Sequence, residues 1–405
     1  MKRLALLIAL LLVAAACNTA APSESEPIAD STTEPAATRV PAAETVPNTA
    51  PAEPGGVASA LDDRNDPSFP DPLVDVNQIF SGGPPPDGIP PIDDPKFISV
   101  DDADAWLGDD EPVVYVSIDG DNRIYPVQIL IWHEIVNDTV AGVPVSVTYC
   151  PLCNSAVTYE RTIDGQVTSF GTSGSLFNSA LVMYDRLTES LWTHYDGKAV
   201  VGHLVGAELE PVPSPLLSWA DAKEQFPEAQ ILDRDQTGHR RSYGTNPYAG
   251  YDNPTGIPFL FRGSADDRAE LMQRVVGVTI DESAVAWPLH ALQNDSASAT
   301  PGSVGDTDLV IFWKAGQSTA LETDGVGTGR DVGSVGVFKP EIDGRALTFD
   351  TGDGTFRDEE TGSTWSITGA AIDGELAGSQ LEQVPHLDSF WFAWSSYQPN
   401  TELVE

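Results

Sequence analysis

Cysteine is scarce in this chain: 405 residues carry three, at Cys17, Cys150 and Cys153. A zinc or iron site built on paired knuckles needs a second cysteine pair, so that arrangement is excluded. Basic residues are few as well, with 21 Lys and Arg against 61 Asp and Glu and a net charge of -40. Electrostatic attraction therefore brings neither nucleic acid nor anionic lipid headgroups to this surface. The glycine-rich run Gly171-Thr172-Ser173-Gly174-Ser175 lacks the lysine and the helix start of a phosphate loop, and reads as a tight turn or bulge.

What is present begins with Met1-Lys2-Arg3, the apolar run Leu4 to Val13 and then Ala14-Ala15-Ala16-Cys17. This is the charged, apolar and small-residue order of a secretory signal, placed at residues 1–16. The apolar run is too short to span a bilayer and stop there. Small residues before Cys17 resemble the bacterial lipobox, in which the cysteine sulfur takes a diacylglycerol. The expectation is an exported, cell-envelope protein held at the membrane surface by lipid on Cys17, anchored to the membrane without spanning it. Residues 17–68, rich in Pro, Ala, Thr and Glu as in Pro22-Ser23-Glu24-Ser25-Glu26-Pro27, read as a disordered tether.

Beyond the tether the sequence repeats itself. Val113-Val114-Tyr115-Val116-Ser117-Ile118-Asp119 returns as Val275-Val276-Gly277-Val278-Thr279-Ile280-Asp281, and Tyr125-Pro126 then falls on Trp287-Pro288 without a gap. Further matches follow in unbroken order, among them Trp192 with Trp365 and Trp219 with Trp391. Alternating apolar residues and Asp-Gly pairs, as at Asp119-Gly120, Asp164-Gly165 and Asp343-Gly344, are hairpin signals. The expected fold is mainly β (α+β): two diverged copies of an antiparallel β unit packed as a double domain, with short helices at Val127 to Ile135 and Ser218 to Phe226. The first copy occupies 69–235 and the second, cysteine-free copy 273–405. Between them, 236–272 is a Pro- and Tyr-rich connection that reads as a packed linker, with a lid over a site as the alternative.

Cys150-Pro151-Leu152-Cys153 is the sharpest local feature. A thioredoxin-like motif would open a helix here, whereas Ala156-Val157-Thr158-Tyr159 reads as strand. Two thiolates on such a knuckle can face one ion. The soft or borderline donors nearest in sequence are His133 and Met183, with His194 and His203 further on, and a thiolate, imidazole and thioether set selects copper over hard cations. The internal repeat supports a single site, since Cys150 falls on Lys314, Cys153 on Gln317, Met183 on Phe356 and His194 on Ile367. A plain disulfide would be lost from one copy in the same way. The metal reading uses Cys150, Cys153, His133 and Met183. The alternatives are a non-enzymatic interaction module for another envelope protein, carrying a structural disulfide, and a thiol-disulfide exchange protein. Ser155 as a nucleophile would need a histidine base that nothing in the sequence places beside it.

Tyr125-Pro126, Trp132-His133-Glu134, Asn137-Asp138, Cys150-Pro151-Leu152-Cys153, Met183-Tyr184-Asp185-Arg186, Thr188 and Leu191-Trp192 together resemble the uncharacterised domain-of-unknown-function family 3179, from about Ser99 to the C-terminus. The resemblance implies an exported bacterial or archaeal protein and no particular activity. Asn154 stands where that family carries a small residue after the second cysteine.

Overall fold

The computed structural model describes residues 58–294, 296–352 and 354–404. Cys17 and the expected tether up to residue 57 lie outside them. Pro112–Ile118 and Asp121–Pro126 pair as an antiparallel hairpin. Asp119 and Gly120 close it with φ of 48° and 81°, the left-handed pair that a two-residue hairpin turn needs. Asp164-Gly165 and Asp343-Gly344 repeat that solution. The helix Val127–His133 follows, and then the antiparallel run Ile135–Val140, Val143–Cys150 and Ser155–Glu160. A further sheet carries Phe170–Phe177, Ala180–Asp185 and Leu191–Thr193. Its register shifts between Thr172 and Ser175, so the glycine-rich run is a bulge.

The second half repeats the order of elements. Arg274–Ile280 pairs with Ser283–Pro288, the short helix Leu289–Leu292 follows, and Ala297–Val304 pairs with Thr307–Lys314. Each first hairpin gains a short antiparallel strand on one edge, Leu216–Ser218 or Leu387–Phe390. Each gains a short parallel strand on the other, Gln230–Leu232 or Glu402–Leu403. The antiparallel flanks run straight into the helices Trp219–Gln225 and Trp391–Tyr397. Ser218 caps the first of these, accepting from the Asp221 amide at 3.1 Å and donating to the Asp221 carboxylate at 2.8 Å.

Recurrence reaches individual hydrogen bonds. Asp185 accepts from the Trp192 indole at 2.9 Å and the Thr188 amide at 2.7 Å; Asp358 accepts from Trp365 at 2.9 Å and Thr361 at 2.6 Å. The amides of Ser190 and Ser363 complete the two rings. The halves nevertheless share their interior. One buried cluster joins Val114, Tyr149 and Trp192 to Val275, Phe390 and Trp394, and another joins Val113 and Trp219 to Phe312 and Trp365. Between Gln236 and Arg274 the chain forms neither helix nor strand.

The folded part starts earlier than the sequence suggests. Ala60 is buried with Ile79 and Val182, Arg64 donates to the Ser175 hydroxyl at 2.7 Å, and Phe69 meets His203 edge-on at 4.9 Å. Limited proteolysis should therefore leave a core beginning no later than Ser59; a fully stable core starting at Asp71 would contradict this packing. Asp185→Ala and Asp358→Ala each strand several buried donors. Each should lower stability by about 2 to 4 kcal/mol in urea unfolding, and by similar amounts.

Candidate dithiol site

Cys150 ends one strand and Ser155 begins the next, with the two residues paired across the hairpin, so Pro151 to Asn154 form a strand-turn-strand knuckle. The Asn154 amide donates to the Pro151 carbonyl at 3.3 Å. Asn154 takes φ of 51°, a left-handed conformation that asparagine tolerates better than most residues. Its side chain then works as well, accepting from the Tyr149 hydroxyl at 3.1 Å and donating to the Asp388 carbonyl at 3.4 Å. A larger residue than glycine thus keeps the turn and adds a link to the second half.

Both cysteines are free thiols, 1% and 0% exposed. Burial alone would raise Cys150. The neighbouring Cys153 and the amides of Leu181, Cys153 and Leu152 outweigh it and hold Cys150 below the ordinary thiol value. Cys153 goes the other way, pushed well up by burial and by the neighbouring Cys150. The pair is polarised, with thiolate character concentrated on Cys150.

A chain of hydrogen bonds runs from Cys153 into the protein. Its sulfur lies 3.0 Å from Ser155 Oγ, which is 2.9 Å from His194 Nε2. His194 Nδ1 lies 2.9 Å from Thr148 Oγ1, which donates to the Val157 carbonyl at 2.6 Å. Thr148 has one hydroxyl proton and Val157 takes it, so His194 must donate from Nδ1 and accept at Nε2. Ser155 therefore donates to His194 and is left to accept from Cys153. Burial pushes His194 down to about 3, which keeps the imidazole neutral. Ser155 has gained the histidine that the sequence could not place. Thr148 stands where a hydrolase would put a carboxylate, and Ser155 and His194 are wholly buried.

The other expected ligands separate. His133 donates from Nδ1 to the Pro90 carbonyl at 2.7 Å and meets the Tyr243 hydroxyl through Nε2 at 2.7 Å. Burial holds it down at about 4. Among the described residues no group of three or more His, Cys, Asp or Glu side chains is placed to hold a metal ion, so His133 does not join the two sulfurs. Met183 is buried in the same apolar cluster as both cysteines, two positions along the strand from Leu181, whose amide reaches Cys150. The neighbouring Glu134, at φ 59°, is buried and pushed well up by desolvation, with Cys150 adding to the shift. The second half supplies no sulfur but holds the knuckle: the Phe390 amide donates to the Cys153 carbonyl at 3.1 Å. From the connection, the Tyr251 hydroxyl donates to the Leu152 carbonyl at 2.9 Å. Sequence reasoning missed the role of His194. The signal was its replacement by Ile367 in the second half, together with the loss of both cysteines.

His194 also sets a pH dependence. The unfolded chain protonates it near 6.5 and the folded protein only near 3, so between these values the unfolded state binds more protons. Stability from this group is complete above 6.5 and falls by about 1.4 kcal/mol per pH unit below it. His194→Gln should remove that share, seen as a shallower rise of stability with pH in the variant than in wild type, in urea unfolding between about pH 4.5 and about pH 6.5. Parallel slopes would contradict a neutral, buried His194.

No curated protein and no solved structure matches the chain. A family described as protein of unknown function (DUF3179) matches residues 86–401, a span that takes in both halves, the knuckle, the hydrogen-bonded chain behind it and the connection. The chain belongs to the DUF3179 family.

Proposed function

We propose that this is an exported, lipid-anchored protein whose buried dithiol holds a soft monovalent metal ion, copper(I), for storage or delivery. The observation that carries the reading is the pair of free, buried thiols on one strand-turn-strand knuckle, with the amides of Leu181, Cys153 and Leu152 favouring the Cys150 thiolate. Amides that stabilise a thiolate also stabilise a thiolate bound to a cation. A two-sulfur site suits a soft ion of low coordination number and gives a hard cation no oxygen donors. Met183, buried in the same apolar cluster, is the thioether this reading adds to the two sulfurs. His133 serves the wall through Pro90 and Tyr243. Anchoring rests on the lipobox-like residues before Cys17, and delivery implies a partner in the cell envelope.

Dithiol-disulfide chemistry is the second reading, favoured by two free thiols standing on one tight turn. Complete burial of both sulfurs weighs against exchange with another protein's disulfide.

The test is a titration of the reduced protein with copper(I) held by a competing chelator, with free thiols counted on the same sample. One equivalent should bind, and Cys150→Ser or Cys153→Ser should remove most of the affinity. Met183→Leu should weaken binding by about tenfold to a hundredfold, as for supporting groups at metal sites. A reduced sample with two free thiols and no copper(I) uptake would end the metal reading. A stoichiometric disulfide that re-forms in air would support the second.

A further inference from the structure

The thiols have no open path to solvent, so what reaches them depends on what covers them. Part of that cover is the connection between the halves. Tyr243, Tyr248, Tyr251, Leu260 and Phe261 pack on the apolar cluster that contains Cys150, Leu152 and Cys153. Up to Asp252 the connection is bolted down: the Tyr251 amide donates to the Leu321 carbonyl at 3.0 Å, and Asp252 is held by Arg330 at 2.6 Å and by the Thr319 hydroxyl at 2.6 Å. Beyond it the chain swings outward into a loop whose tip is apolar and uncovered, with Ile257 85% and Phe259 50% exposed.

One oxygen ties that loop to the knuckle. The Tyr251 hydroxyl donates to the Leu152 carbonyl at 2.9 Å and accepts the Phe259 amide at 3.2 Å. The Tyr251 ring also stands edge-on to Phe390 at 5.8 Å, and the Phe390 amide holds the Cys153 carbonyl at 3.1 Å. Knuckle, loop and second half therefore meet at this half-buried side chain. Rotating it away breaks the loop's bond to the knuckle while leaving its own backbone anchored.

We propose that Tyr251 is the specificity-determining latch of the dithiol. Closed over the middle residue of the knuckle, it admits a bare ion or a small molecule through brief openings and refuses a peptide thiol or disulfide. This rests on the copper(I) reading for the identity of the ion, though not for the existence of the latch.

The test is the rate at which the reduced full chain is alkylated at Cys150 and Cys153, located by mass spectrometry. Iodoacetamide is the small reagent and a maleimide on a polyethylene glycol chain the bulky one. Wild type should react slowly with the first and hardly at all with the second. Tyr251→Phe, which removes one oxygen, should react about fivefold to tenfold faster with iodoacetamide, the effect of losing one net hydrogen bond, with a melting temperature only a few degrees lower and a chain fully folded at the labelling temperature. Its copper(I) affinity should stay within about twofold of wild type, because Tyr251 is not a ligand. Ile257→Asp, on the uncovered tip, should label at the wild-type rate. Equal rates for Tyr251→Phe and wild type, or equal acceleration in both variants, would overturn the latch. Faster labelling of Tyr251→Phe in a protein that takes no copper(I) would keep the latch and remove the metal reading alone.

Discussion

A turn that spends its amides on a sulfur must have its carbonyls satisfied from elsewhere, and much of this molecule is arranged around that constraint. The amides of Leu152 and Cys153 favour the Cys150 thiolate. Pro151 has its carbonyl covered within the turn, by Asn154, but those of Leu152 and Cys153 face outward and are met by Tyr251 and Phe390. A buried carbonyl left without a donor costs about 1 to 3 kcal/mol, enough to favour another turn geometry. The connection and the second half are thus parts of the dithiol site without contributing a sulfur. That accounts for a second half that keeps the strands, the flanking strand and the Asp-Trp ring of the first while lacking its cysteines.

The donor from Phe390 is aimed by a buried charge cluster. Arg274, buried, grips the Asp388 carboxylate with two nitrogens, and Asp252 stands 3.7 Å from a third. Removing one partner of such a cluster costs about 3 to 5 kcal/mol, since an unpaired charge stays behind. The Asp388 carbonyl receives Asn154, and the strand Leu387–Phe390 lies across the hairpin that carries Arg274. The register of one half is in this way fixed against the turn of the other. Asp252 belongs to the connection, so a single network orients all three pieces.

Local features were legible in the sequence. Asp119-Gly120 and Asp343-Gly344 announced hairpins because few residue pairs accept two left-handed conformations in a row. The helices ended within two residues of the expected bounds, at His133 and Gln225. The knuckle was readable because the residues after Cys153 alternate as a strand does. Partnerships across long separations were not. No periodicity links Cys153 to Phe390 or Leu152 to Tyr251, and the alignment of Thr148, Ser155 and His194 depends on two paired strands meeting the turn after a third. Proximity in sequence recommended His133 as a ligand, but its helix turns it toward Pro90 and Tyr243. Residues 58–68 looked too poor in apolar groups to fold, yet they dock through a few contacts, with Ala60 buried, Leu61 packed beside it and Arg64 supplying donors.

The short parallel strands have a consequence for the protein among its own copies. Each main hairpin would otherwise present an unpaired row of amides and carbonyls, the template on which sheets of separate molecules join. Gln230–Leu232 covers that row in the first half and is itself covered by Phe97–Ile98; Glu402–Leu403 covers it in the second. With those edges partly paired and a charge of -40 on each molecule, crowded molecules repel one another and the main hairpins offer less open edge on which to join.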